Sequence, residues 1–277
     1  MAVVLALCSA ATYGIGDFCG GMAARRVPAT TVLLWSHLLG FVLFVLAAPF
    51  VAGSATGGDL LIGAVGGLCG AIGVGLLYKG LAIGPMSVVA PITALLSATV
   101  PVTAGLLQGE RPSTGVAVGM VAALVAIVLV SAEGGGSLRP SDLRGVTFAL
   151  GAGLGFGLFF VTLSHVGEDS GIWPLVAARG ASASAVGALA LLGRVSRTPP
   201  VAGARLFTAA AGTLDAFANV CYLLATREGL LTVVSVLTAL YPVGTVILAR
   251  LILKERFARV QRVGMALALP AAILMAT

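Results

Sequence analysis

The 277-residue chain is 59% hydrophobic and 9% charged, with a mean hydropathy of +1.10. About a quarter of an ordinary soluble chain is charged because its surface meets water, so this composition excludes a soluble globular protein and turns much of the surface toward lipid. The net charge of +6 lies mainly between apolar runs, where basic residues orient a chain in a bilayer, and no basic face with interleaved aromatics marks a nucleic-acid partner.

A helix that crosses a bilayer needs about 20 predominantly apolar residues and must satisfy its own backbone. Ten such helices are predicted, at 2–21, 30–50, 60–79, 86–107, 113–132, 145–165, 172–193, 205–226, 230–251 and 260–276. The first lacks a basic leader and matches a later segment, so it reads as a span rather than a cleaved signal. Residues 112–132 and 229–249 contain no Asp, Glu, Lys or Arg, whereas the seventh and eighth spans carry Arg179 and Asp215. Cys8, Cys19, Cys69 and Cys221 fall in or at the ends of apolar segments without a CxxC pair, and read as small packing residues. The run Glu133-Gly134-Gly135-Gly136-Ser137-Leu138-Arg139-Pro140 breaks any helix.

That linker, 133–144, divides the chain into halves at 1–132 and 145–277 that resemble each other. At an offset of 145 residues, the segment from Gly84 to Leu95 aligns with that from Gly229 to Leu240, Thr93 with Thr238, Glu110-Arg111 with Glu255-Arg256, and Gly119 with Gly264. At an offset of 143, Tyr13-Gly14 aligns with Phe156-Gly157. Polar matches kept in register favour a repeat over chance similarity of apolar helices. Five spans per half would insert the halves in opposite senses, as in many secondary transporters. Charge agrees with this. Arg25 and Arg26 follow span 1 and the matching 6–7 loop has no Lys or Arg, while the 7–8 loop has Arg194, Arg197 and Arg205 and the matching 2–3 loop has none. Lys254, Arg256, Arg259 and Arg262 outnumber Arg111 in the last matched pair. The bias puts the 1–2, 5–6, 7–8 and 9–10 loops in the cytoplasm and both termini outside. The expected fold is an all-α integral membrane protein with ten transmembrane helices in two inverted five-helix repeats.

Ten short spans, two five-helix halves, Gly109-Glu110-Arg111 after span 4 and its echo Lys254-Glu255-Arg256 after span 9 resemble the EamA branch of the drug/metabolite transporter superfamily. The resemblance covers nearly the whole chain. It implies transport of amino acids, sugars, nucleotide derivatives or drugs by alternating access. Where many members have Trp-Gly in the first span, this chain has Tyr13-Gly14, followed by Asp17.

An ionisable group inside a bilayer costs about 2.5–3.5 kcal/mol on insertion scales, so such residues are candidates for a cavity. Asp215, with Asn219 and Tyr222 at i+4 and i+7, forms a polar stripe on span 8. Asp215 reads as a coupling or cation site, while Asn219 reads first as an interhelical hydrogen bond. Arg179 can hold a substrate carboxylate or phosphate, or be the fixed partner of Asp215. Asp17, one turn after Tyr13, reads first as an interfacial carboxylate, and His37 as a packing histidine rather than a proton relay. His165 reads as interfacial, Lys79 as snorkelling to the headgroups, and Glu110 and Glu255 as topology-setting surface charge. Pro91, Thr93, Pro101 and Thr103 in span 4, with Thr238, Tyr241 and Pro242 in span 9, predict a matched pair of interrupted helices, the best sequence pointer to a central site.

The GxxxG spacings Gly16/Gly20, Gly63/Gly67, Gly66/Gly70, Gly80/Gly84, Gly115/Gly119 and Gly151/Gly155 read as intramolecular packing and leave a homodimer open. No Walker lysine or nucleotide fingerprint is present, so ATP-driven pumping is disfavoured and no cofactor is expected. The sequence therefore predicts a secondary, non-ATP transporter of small metabolites in the cytoplasmic membrane, an exporter of amino-acid-like or related polar solutes with membrane lipids around it. The rival readings are a polytopic membrane enzyme acting on a lipid-linked substrate, for which no metal-ligand spacing such as HExxH exists, and a non-transporting membrane subunit.

Overall fold

The computed structural model describes residues 1–83, 86–131, 140–196, 198–253 and 258–275. Gly84, Pro85, Arg197, the linker residues 132–139 and Lys254-Glu255-Arg256 lie outside the described residues. Among the described residues there is no strand. The helices are α1 (Ala2–Ala24), α2 (Ala29–Ala47), α3 (Gly57–Ile83), α4 (Met86–Leu107), α5 (Thr114–Ser131), α6 (Pro140–Leu163), α7 (Trp173–Leu191), α8 (Ala202–Glu228), α9 (Leu231–Thr238), α10 (Pro242–Leu253) and α11 (Arg259–Leu274).

Among the described residues six stretches are long and apolar enough to cross a membrane: Ala2–Ala24, Ala29–Phe50, Gly57–Ile83, Arg144–Leu163, Trp173–Leu191 and Ala202–Glu228, with shorter apolar helices at Ile92–Leu107, Thr114–Val130 and Leu231–Thr245. Their outer faces present Leu61, Ile72, Val121, Leu154 and Phe217 at 49–66% exposure, an apolar surface that suits lipid rather than water. The chain is a multi-pass, all-helical membrane protein.

Small residues set the packing. Helix α1 runs antiparallel along α8, with Ser9 Oγ donating to the Ala218 carbonyl at 2.9 Å and Gly16 facing Ala211 and Leu214. Helix α6 runs antiparallel along α3, where a Cβ at Gly155 would meet the Cys69 carbonyl at 2.8 Å. Gly63 and Gly67 of α3 lie against the backbone of Pro174 and Ala178, so α3 and α7 run parallel. Gly212 of α8 lies against the backbone of Ser36 in α2. Helix α5 packs on α11: a Cβ at Gly119 would meet the Ala271 carbonyl at 3.0 Å, and one at Gly264 the Ala126 carbonyl at 2.9 Å. Lipid tails give helices no hydrophobic reason to associate, so backbone approach at glycine supplies the dispersion contact instead.

Two clusters of loop contacts close the ends of the bundle. At one end, Gly167 N donates to Asp59 Oδ1 at 2.7 Å, Ser54 N to the Asp169 carbonyl at 2.8 Å, and Arg227 Nη2 to the Gly171 carbonyl at 2.7 Å. At the other, Arg26 donates to the Gly203 carbonyl and lies over the Phe207 ring, while Trp35 Nε1 donates to the Thr198 carbonyl at 3.3 Å.

The expected pair of interrupted helices is corrected. Span 9 divides into α9 and α10 at 239–241, ahead of Pro242, but α4 runs unbroken through Pro91 and Pro101. A proline removes one hydrogen bond, and without water to compete for the rest the ladder persists. Hydroxyls add to it: Thr93, Ser97, Thr99 and Thr103 donate to the carbonyls of Val89, Ala94, Leu95 and Thr99 at 2.7–2.9 Å. The side chain of Pro91 lies outside the described residues.

The short helix α9 is held from the other half. Glu110 accepts from Leu231 N at 2.7 Å through Oε1 and from Thr232 N at 2.9 Å through Oε2. It satisfies two of the donors that every helix N-terminus leaves open, and its charge suits the positive end of the dipole. Every residue of α9 is buried, so water cannot take over that role. Loss of a cap costs about 1 kcal/mol; Glu110→Ala is therefore expected to lower the melting temperature and to raise hydrogen exchange at Leu231 and Thr232 while Glu110→Asp loses less. Unchanged exchange there would remove the cap from the account.

Candidate functional site

Between the halves lies a cavity lined by α1, α2, α3, α6, α7, α8 and the break after α9. Most of its wall is apolar: Phe44, Val74, Phe156, Phe159, Phe160 and Leu175. Its polar side chains are Tyr13 and Asp17 from α1, Arg179 and Ser182 from α7, Asp215 and Asn219 from α8, and Tyr241 from the break.

Each position has a local cause. Gly67 and Gly70 bring α3 so close to α7 and α6 that Ala178 and Phe159 form the wall beside them. Gly14 lets α1 approach the Tyr241 carbonyl and Gly244, and Thr245 Oγ1 donates to the Gly14 carbonyl at 3.0 Å. The break at 239–241 therefore sits against α1, and Tyr241 turns into the cavity with its hydroxyl on the Ala90 carbonyl at 3.4 Å.

The centre is a buried chain of polar groups. Arg179 Nη2 pairs with Asp215 Oδ2, and Arg179 Nη1 meets His37 Nε2 at 2.9 Å. His37 Nδ1 lies 2.9 Å from Ser182 Oγ, which donates to the Arg179 carbonyl at 3.1 Å. Since Arg179 only donates, His37 Nε2 accepts, and the proton of the neutral ring sits on Nδ1. Asn219 Nδ2 donates to the Asp215 carbonyl at 2.6 Å and to Asp215 Oδ2 at 3.3 Å, while its Oδ1 is buried with no partner among the described residues. The Arg179 side chain is 9% exposed and that of Asp215 21%, so the pair meets the cavity mainly through the carboxylate.

Of the residues singled out in the sequence, Asp215, Arg179, Asn219, Asp17, Tyr13 and Tyr241 line this space. His37 stands behind Arg179 as its hydrogen-bond partner. Asp17 is half-buried on the cavity wall, which corrects the interfacial reading. Tyr222 is corrected too: it is fully buried, stacked on Phe160 at 4.3 Å between ring centroids, with its hydroxyl 3.1 Å from Ser235 Oγ. Thr93 and Thr238 are buried in helix contacts away from the lining; Thr93 bonds to the Val89 and Ala149 carbonyls, and Thr238 Oγ1 has no partner among the described residues. Sequence reasoning missed Ser182 and the phenylalanines. Ser182 follows Arg179 by one helical turn, a signal that was available; nothing in an apolar run distinguishes Phe156, Phe159 and Phe160 from lipid-facing rings. No group of His, Cys, Asp and Glu that could hold a metal occurs among the described residues.

The EamA-like transporter family model matches residues 1–132 and again 143–277. The chain belongs to the EamA-like transporter family. No curated protein matches it at the sequence level. A solved crystal structure described only as that of a protein superposes with a TM-score of 0.76 at 16% identity, over 99% of this chain and 95% of its own, which supports the fold alone. EamA family members are membrane transporters of the drug/metabolite superfamily, and the two matched regions cover the two halves on either side of the cavity.

Proposed function

We propose that this EamA protein is a secondary carrier, not an enzyme, that moves small polar, amino-acid-like metabolites outward across the cytoplasmic membrane by alternating access. The observation that carries the reading is the Arg179–Asp215 pair, drawn from two helices of the second half, bonded to His37 of the first, and open to a cavity between the halves. A purely structural subunit has no use for a charged pair facing a cavity at that position, given what ionisable groups cost in a bilayer.

Ten spans in two inverted repeats, 1–132 and 145–277, fit the packing. Exchanging α1 with α6, α2 with α7, α3 with α8, α4 with the α9–α10 pair and α5 with α11 turns the α1–α8 contact into α6–α3, and the α3–α7 contact into α8–α2. Register is kept in the contact between α5 and α11, which the exchange maps onto itself: Gly119 meets Ala271 as Gly264 meets Ala126, each 145 residues apart from its equivalent. Since α1 runs antiparallel to α8, and Arg227 near the end of α8 bonds to the Gly167 carbonyl just past the end of α6, α6 and α8 finish at the same end of the bundle and helices α1 and α6 point opposite ways, as inversion requires. The charge bias puts Arg25, Arg26, Arg194 and Arg205 on the cytoplasmic side, at the end where Arg26 meets Gly203.

In this mechanism the halves rock about the cavity, exposing it to each side in turn, with the α9–α10 break and its Glu110 cap as the element that moves against α1. The test is counterflow in proteoliposomes, using solutes chosen by a thermal-shift screen. ATP-independent exchange that Asp215→Asn abolishes or uncouples, with the variant still folded, is the expected result. Unchanged flux in Asp215→Asn would take Asp215 out of the mechanism, and absence of any flux in the folded protein would favour a non-transporting subunit.

A further inference from the structure

Two acidic side chains and one basic side chain line the cavity: Asp17, Asp215 and Arg179. Arg179 and Asp215 neutralise each other, and both guanidinium NH2 groups are engaged, one by Asp215 and one by His37. Asp17 stands apart. Among the described residues its carboxylate has neither an ion pair nor a hydrogen bond, although it is half-buried in a wall that is mostly apolar. An ionised carboxylate is expensive to keep in such surroundings without a partner, so Asp17 calls for one positive charge, brought by a proton or by a cationic ligand.

The rest of the lining suits a particular way of supplying it. Tyr13 lies one turn before Asp17 on α1, and Phe156, Phe159, Phe160 and Tyr241 line the same space. Aromatic faces carry negative potential and attract a cation, more strongly when it is desolvated, and their carbon area seats an apolar body. An anionic solute would meet the uncompensated Asp17 and find Arg179 already bonded. We propose that the cavity recognises a compact organic monocation, an ammonium group on an apolar or aromatic body, with Asp17 as its counter-charge and the aromatic rings as its walls.

The proposal deepens the carrier reading and rests on the same cavity, but it is tested by binding, which needs no transport. Titration calorimetry on the purified full-length protein would use benzyltrimethylammonium, a permanent cation without an N–H donor, and 3-phenylpropionate as an anion of similar body. Saturable binding of the cation, weakened about tenfold or more by Asp17→Asn, kept by Asp17→Glu and weakened by Tyr13→Leu, is expected, with no binding of the anion. Equal affinity in wild type and Asp17→Asn, preferential binding of the anion, or no cation binding to a cooperatively melting wild type would overturn it. Should exchange in proteoliposomes persist for other solutes in that last case, the cation site falls while the carrier stands.

Discussion

Replacing Arg179 by leucine is expected to cost about 3–5 kcal/mol, because a buried charge left without its partner loses the interaction that offset its desolvation. Asp215→Leu is expected to do the same in the other direction, stranding the guanidinium on His37 alone. The double variant, Arg179→Leu with Asp215→Leu, is expected to recover most of that loss, since an apolar pair of similar volume pays no desolvation. Melting in detergent gives the three stabilities, and their non-additivity reports the coupling. Transport separates structure from function here. A stable double variant that carries nothing shows that the pair serves the cavity; a stable double variant that carries normally shows that it serves folding only.

The second large effect is steric. Gly67 and Gly212 lie 145 residues apart, and a Cβ at either would collide with the backbone of a neighbouring helix, at Ala178 and Ser36. Backbone cannot step aside as a side chain can, so Gly67→Val and Gly212→Val are each expected to reach or exceed the upper end of the usual overpacking cost of about 1–3 kcal/mol. Gly187, whose Cβ would meet nothing within 4 Å, provides the control, and Gly187→Val should leave the melting temperature nearly unchanged. Unequal effects at Gly67 and Gly212 would argue against equivalent packing in the two halves.

What the sequence made legible follows from cost. Asp215 and Arg179 stand out because charge inside an apolar run is expensive, and the pair they form is one of the two readings that residue type alone allowed. The doubling of the chain is legible in polar matches such as Glu110 with Glu255. Depth and facing are less so. Asp17 sits near the end of a predicted span, where one residue of shift separates cavity from interface, and a stripe at i, i+4, i+7 does not tell which member faces the void. Tyr222 shares the stripe of Asp215 yet is buried behind Phe160. Prolines were also ambiguous: Pro242 opens a new helix while Pro101 sits inside a continuous one, the difference lying in what surrounds them. The Glu110 cap joins groups more than a hundred residues apart, and a loop glutamate beside an arginine carries no local sign of it.

The most direct test of a cavity shared by two rocking halves is labelling from each side of the membrane. With Cys8, Cys19, Cys69 and Cys221 replaced by alanine, a single cysteine at Phe156, on the cavity wall, is exposed to a membrane-impermeant maleimide in right-side-out and in inside-out vesicles. Alternating access predicts reaction from both sides, slowed from both by a bound solute. Reaction from one side only, indifferent to every solute that binds, would contradict it.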